Sequence, residues 1–140
     1  MLIAHSRNER DEWHELGAHL RKVAALARDF AQVWGDGIWA ELAGAWHDLG
    51  KARQGFQLHV QRDADAHVEG ANRRQRNHSA AGALHARTEM LATLGPQIGA
   101  PLGRLLEYLI AGHHAGLADW NSADGAALAP RLASAAAQQE

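Results

Sequence analysis

The chain contains no cysteine, which excludes disulfides, thiol nucleophiles and thiolate metal sites. A metal ion here would have to be held by nitrogen and oxygen. An excess of charge of either sign is also missing: 14 Lys and Arg stand against 16 Asp and Glu, a formal net charge of −2. Contact with nucleic acid or a membrane surface would therefore need a local patch, because the overall field supplies no attraction. No apolar run approaches the roughly 20 residues of a membrane span, and Met1 to Glu12 lacks the core of a signal peptide. A cytoplasmic protein with no membrane partner is expected. There is no Gly-rich phosphate loop and no G-x-S-x-G elbow, which argues against NTPase and serine-hydrolase chemistry. Internal repeats and strand patterns longer than a few residues are absent too.

What remains is the composition of a globular helical protein. Hydrophobic residues make up 46% and charged residues 21% of 140 positions, enough for one domain over 1–140 that buries roughly two thirds of its unfolded surface. Leu16, Leu20, Val23, Ala27, Phe30 and Trp34 recur at three or four, predicting a first helix over Glu9 to Trp34. Gly35-Asp36-Gly37 breaks it, with Asp36 as the next cap. A second helix follows with the stripe Ile38, Leu42, Ala45 and Leu49 and ends at Gly50, and a short third one spans Ala52 to about Gln61. A fourth is predicted from Asn77 or His78 to Gly95-Pro96 and a fifth from Pro101 to His113 or His114. An alanine-rich sixth covers Ala126 to Gln138. The fold class is all-α, a compact bundle of five to six helices.

Five of the ten histidines stand in a telling order on these helices. His19 shares the face of Leu16 and Val23. His47 and Asp48 come at the end of the second helix, where a carboxylate is disfavoured by the dipole and a cation is its natural compensation. His78 precedes the small run Ser79-Ala80-Ala81-Gly82-Ala83 and should point inward. His113 and His114 follow Leu109 and Ile110 by four. Adjacent helical residues diverge by about 100°, so both reach one site only if the helix ends there, which Gly112 and Gly116 permit. Each histidine alone reads more simply as a core side chain with satisfied nitrogens; the set H…HD…H…HH does not. One carboxylate with five imidazoles exceeds a single tetrahedral site. Two divalent ions bridged by Asp48 would use the set, an arrangement suited to phosphoester hydrolysis.

The stretch Arg62 to Asn77 has no period and is strongly polar, and it reads as a mobile loop. Its end carries Arg73, Arg74 and Arg76 beside His78. Either it is a solvated connection or its three arginines guide the phosphates of a nucleic acid.

In these residues the chain resembles the HD-domain metal-dependent phosphohydrolases, and more narrowly the HD nuclease of the type I CRISPR-associated helicase–nuclease. The resemblance runs through Ala4-His5-Ser6, then Trp13, Leu16, His19-Leu20 and Val23-Ala24, then His47-Asp48-Leu49-Gly50-Lys51 with Phe56. It continues in His78 to Ala83 and in Ile110-Ala111-Gly112-His113-His114-Ala115-Gly116-Leu117-Ala118-Asp119. The HD dipeptide specifies the superfamily, whereas the last block together with the opening narrows it to the nuclease.

The resemblance implies a single HD nuclease domain. Its activity would be cleavage of single-stranded DNA with two divalent ions, drawn from Mn, Fe, Ni, Co or Mg. Its partners would be a helicase subunit or domain and an RNA-guided CRISPR surveillance complex. Carried over, His19, His47, Asp48, His78, His113 and His114 are the metal ligands. His47, Asp48 and Lys51 are catalytic, the lysine touching the scissile phosphate; His5 receives no role. The family supplies a further aspartate from a helix well beyond the HH pair. Here only Asp119, Asp124 and Glu140 follow His114, so a fragment or a shortened relative is expected. Two other readings fit the same ligands: an HD hydrolase of small nucleotide phosphoesters, and a degenerate HD module kept for docking.

Overall fold

The structure, a computed structural model, describes residues 1–7, 9–10, 12–62, 73–114, 116–122 and 127–137, with the backbone alone at 62 and 73–77. Among the described residues it is all-α apart from one short antiparallel strand pair, and the chain divides into two compact units, Met1–Gly70 and Ala71–Glu140.

The first unit opens with strand β1 (Ile3–His5) paired antiparallel to β2 (His14–Glu15). The first helix therefore does not begin at Glu9. Residues before Leu16 are spent on this ladder, and Glu15 starts α1 (Leu16–Ala31) by accepting from the amides of Gly17 at 2.9 Å and Ala18 at 2.6 Å. A 3-10 turn, Gln32–Trp34, then ends in Gly35 at φ 82, a left-handed conformation that favours glycine. Only Leu16 and Ala24 of α1 are buried, and Phe30 and Trp34 are 75% and 81% exposed. The far end of the expected stripe faces solvent in the chain as it stands.

Helix α2 (Gly37–Trp46) approaches α1 closely at the buried Gly44; of the expected stripe, Ile38 is exposed while Leu42, Ala45 and Leu49 are half-buried. A Cβ on Gly44 would lie 2.8 Å from the Ala24 Cα and 3.0 Å from the Val23 carbonyl oxygen. Hydrophobic periodicity cannot see this contact, because the residue making it has no side chain. Asp36 caps α2 with its backbone carbonyl, to the amides of Trp39 and Ala40, and not with its side chain.

After α2 comes a second 3-10 turn, Leu49–Ala52, and then α3 (Gln54–Arg62). Gln57 on α3 is buried and ties the unit together. Its Oε1 accepts from the Ile3 amide at 2.9 Å, while its Nε2 donates to the carbonyls of Ile3 at 2.8 Å and Lys51 at 2.7 Å.

The second unit contains a helical run, Arg73–Gly112, broken at Gly95 (φ 70, ψ 174). We number its halves α4 (73–94) and α5 (96–112), with Pro96 at the first helical position and Pro101 inside α5. Helix α4 thus starts four residues ahead of its expected cap, Asn77, because arginine and glutamine propagate a helix well without an apolar stripe. Much of the expected Arg62–Asn77 loop lies outside the described residues, and its end is helical. Helices α4 and α5 fold back on each other through Gly99 and Gly103: a Cβ on Gly103 would sit 3.1 Å from the Arg87 Cα, and one on Gly99 would overlap the Met90 backbone.

Helix α6 (Leu128–Ala137) completes the unit, held by Arg131, whose Nη2 donates to the Ala111 carbonyl at 2.6 Å. Glu107 is wholly buried between Arg87 at 3.5 Å and Arg104 at 3.4 Å. Burial, outweighing the two arginines, pushes its carboxyl above the usual range. The Arg104 guanidinium in turn lies 3.4 Å above the Trp120 ring.

The glycine packing yields two substitutions of opposite sign. Gly44→Ala should lower the urea midpoint, at about 1–3 kcal/mol for overpacking, despite alanine's better helix propensity. Gly55→Ala, where nothing lies within 4 Å, should raise it by roughly 0.5–1 kcal/mol. Equal shifts would show that α2 does not rest on Gly44.

Candidate metal centre

Three donor atoms of the first unit converge. His19 Nε2 lies 3.2 Å from Asp48 Oδ2, His47 Nε2 lies 3.2 Å from the same oxygen, and the two nitrogens are 3.3 Å apart. Donors bound to one ion at about 2.0–2.2 Å stand roughly 3 Å from each other, so this triangle has the size of a ligand set. Three atoms that all carry lone pairs do not crowd together unless a cation is shared between them, whether a proton or a metal ion.

The local backbone arranges this. Helix α2 stops at Trp46, and His47 caps it in helical conformation. Asp48 then opens the 3-10 turn at φ −111, so the adjacent side chains reach one point. His47 Nδ1 donates to the Gly44 carbonyl at 2.8 Å. A carbonyl only accepts, so the proton of the neutral ring sits on Nδ1 and the Nε2 lone pair faces the cluster, as in metal-bound histidines whose far N–H is held by a backbone carbonyl.

Asp48 is 2% exposed, and its cation is present in the chain itself: Lys51 Nζ lies 2.8 Å from Oδ2, with Lys51 also buried. The lysine thus acts on the carboxylate. Burial depresses the His19 pKa against the opposing pull of Asp48. Burial is also the largest influence on His47, but the hydrogen bond and charge of Asp48, with the Gly44 carbonyl, outweigh it and raise that pKa.

The second unit gathers the other three expected ligands. His78, near the start of α4, is buried, as its crowded neighbours Ser79, Ala80, Gly82 and Ala83 led us to expect. Its Nε2 lies 3.0 Å from His114 Nε2, and the rings of His113 and His114 are 4.0 Å apart. Each of the three offers a nitrogen within 4.8 Å of the others. Helix α5 ends at Gly112, which lets both neighbours turn to one side, and Gly116 closes the turn on the Gly112 carbonyl at 2.7 Å. His113 Nδ1 donates to the Ile110 carbonyl at 2.6 Å, leaving its Nε2 as the donor atom, as in His47.

Arg73, Arg74 and Arg76 fall on the first turns of α4, and their side chains are outside the described part. Among the described residues, no helix is long and apolar enough to cross a membrane.

Two contributors escaped sequence reasoning. Gln57 stands between Phe56 and Val60 with nothing to mark it as a structural clamp. His5 stands in the opening Ala4-His5-Ser6 but receives no role from the sequence, because a three-residue strand leaves no periodicity that would place it beside His19. In the structure His5 and His19 pack edge-on, ring centroids 5.0 Å apart. Burial, aided by Lys51 and His19, lowers the His5 pKa to about 4.

The sequence profile of the HD domain matches residues 16–133, a stretch containing all six expected ligands. The chain belongs to the HD domain family, whose members are metal-dependent phosphohydrolases. No curated protein matches it.

The raised pKa of His47 gives metal binding a pH dependence. A proton and an ion compete for Nε2, so affinity should fall as pH drops through a value above the ordinary histidine pKa of about 6.5. Manganese titrations at pH 8, 7 and 6, followed by calorimetry in two buffers, should show proton uptake by the buffer and weaker binding at pH 6. Affinity independent of pH over that range would remove His47 from the ligand set.

Proposed function

We propose that the protein is a metal-dependent phosphodiesterase that cleaves single-stranded DNA in type I CRISPR interference. The observation that carries the hydrolytic part is the triangle of His19, His47 and Asp48, with its proton placement fixed from behind by Gly44. Support for the nuclease part comes from Ala4-His5-Ser6 at the start and from Gly112-His113-His114-Ala115-Gly116 with its flanks. A second group of three imidazoles, His78, His113 and His114, is consistent with two ions.

In this reading His19, His47 and Asp48 hold one divalent ion, and His78, His113 and His114 form a second group of donors. When bound, such ions activate a water near neutral pH and offset charge on the phosphoryl oxygens. The protein's own groups do the rest. Gly44 keeps the His47 proton on Nδ1. Lys51, 2.8 Å from Asp48 Oδ2, aims the carboxylate, which makes it a positioning residue here and not a direct contact of the phosphate. Arg73, Arg74 and Arg76, on the two turns that lead to His78, supply the local positive charge that the balanced chain otherwise lacks. The partners are a helicase, fused or separate, and an RNA-guided surveillance complex that exposes the strand.

Purified with manganese, the wild type should degrade single-stranded DNA, and Asp48→Ala should fall to background. Turnover of nucleotide phosphoesters with no cleavage of DNA would favour the small-substrate hydrolase. Silence toward both, with metal bound, would favour a docking module.

Reversing the charge of Arg73, Arg74 and Arg76 should weaken DNA binding and flatten its dependence on salt, by up to three phosphate contacts in the slope. A small chromogenic phosphodiester should still be turned over. Unchanged DNA binding would reduce this helix start to a solvated connection.

A further inference from the structure

We propose that His5 supplies a fourth protein donor to the ion held by His19, His47 and Asp48. His5 precedes the matched stretch, which begins at residue 16, so family membership assigns it nothing. The inference rests on the metal-binding reading of the triangle.

The geometry comes first. His5, His19 and Asp48 each offer a ligand atom, and these atoms lie within 4.8 Å of one another. An ion with bonds of about 2.1 Å spans roughly 4.2 Å between opposite ligands, so a small side-chain adjustment brings all of them into one shell. The His5 and His19 rings meet at 83°. That is an edge-on approach, with the ring centroids 5.0 Å apart.

The second observation is how firmly the histidine is delivered. A three-residue strand paired with a two-residue one has no stability of its own in water. Yet Ile3, Ala4 and Ser6 are buried at 5%, 1% and 4%. Gln57 bonds both backbone groups of Ile3 and also the carbonyl of Lys51, three residues after Asp48. Leu16, at the start of the helix that carries His19, donates its amide to the Leu2 carbonyl at 2.8 Å. The strand is thus fastened to the two segments that present the other ligands. A half-buried imidazole set beside two further imidazoles and a carboxylate, on a strand so anchored, is placed as a ligand is placed.

Cobalt(II) is the probe, added to the full chain. His5→Gln, which keeps size and polarity, should bind cobalt at least roughly tenfold more weakly than wild type. Even outer-shell partners of metal sites contribute about 10–100-fold. Its visible spectrum should also differ in intensity, reporting a changed ligand number, whereas His85→Gln should match wild type in both. A measurement free of variants makes the same point: wild type labelled with 15N-histidine and loaded with 113Cd should show a cadmium–nitrogen coupling on His5. A His5→Gln protein with wild-type affinity and spectrum, or no coupling on His5 while His19 and His47 show one, overturns the assignment. If wild type binds neither metal, the metal reading itself fails and takes the assignment with it.

Discussion

One carboxylate oxygen organises the first unit. Asp48 Oδ2 lies 2.8 Å from a buried ammonium and 3.2 Å from each of two imidazole nitrogens. A buried carboxylate is costly unless it is paired and hydrogen-bonded, so the surrounding structure is bound to supply those partners. Three segments do so: α1 brings His19, the end of α2 brings His47, and the 3-10 turn that follows brings Lys51. The same constraint explains why α2 has to stop at Trp46. One more helical turn would carry His47 and Asp48 to different sides.

Small residues set how closely these segments meet. Gly44 serves twice, through a missing Cβ that admits the α1 backbone at Ala24 and through a carbonyl that fixes the His47 proton. Gly99 and Gly103 bring α4 and α5 together in the second unit. There, ending α5 at Gly112 lets His113 and His114 stand side by side. In both units the adjacent pairs, His47-Asp48 and His113-His114, sit at element ends, where backbone geometry departs from the helix and neighbouring residues can converge.

The candidate ligands were legible in the sequence because their chemistry is rare and their order is distinctive. His78 was placed inward by the small residues after it, and it is buried. The helix breaks at Gly35 and Gly95 were legible for the opposite reason, since a left-handed residue or a following proline leaves little choice. Packing faces read less well. Phe30, Trp34 and Ile38, at the ends of their stripes, are exposed, and the close approach of α2 to α1 at Gly44 was not foreseen, because periodicity weighs side chains and says nothing about close backbone approach. The start of α4 was missed, as arginine-rich turns carry helix propensity without an apolar signature. Gln57 and Glu107 had no local mark at all. A buried amide or carboxylate takes its meaning from residues distant in sequence.

The central claim is that His19, His47 and Asp48 hold a divalent ion. Crystals grown with manganese, with diffraction collected at the metal's absorption edge, test it most directly. The account predicts an anomalous peak about 2 Å from His19 Nε2, His47 Nε2 and Asp48 Oδ2 together. A map with no peak there, and with the Lys51 ammonium still seated on Asp48 as its only cation, would contradict it.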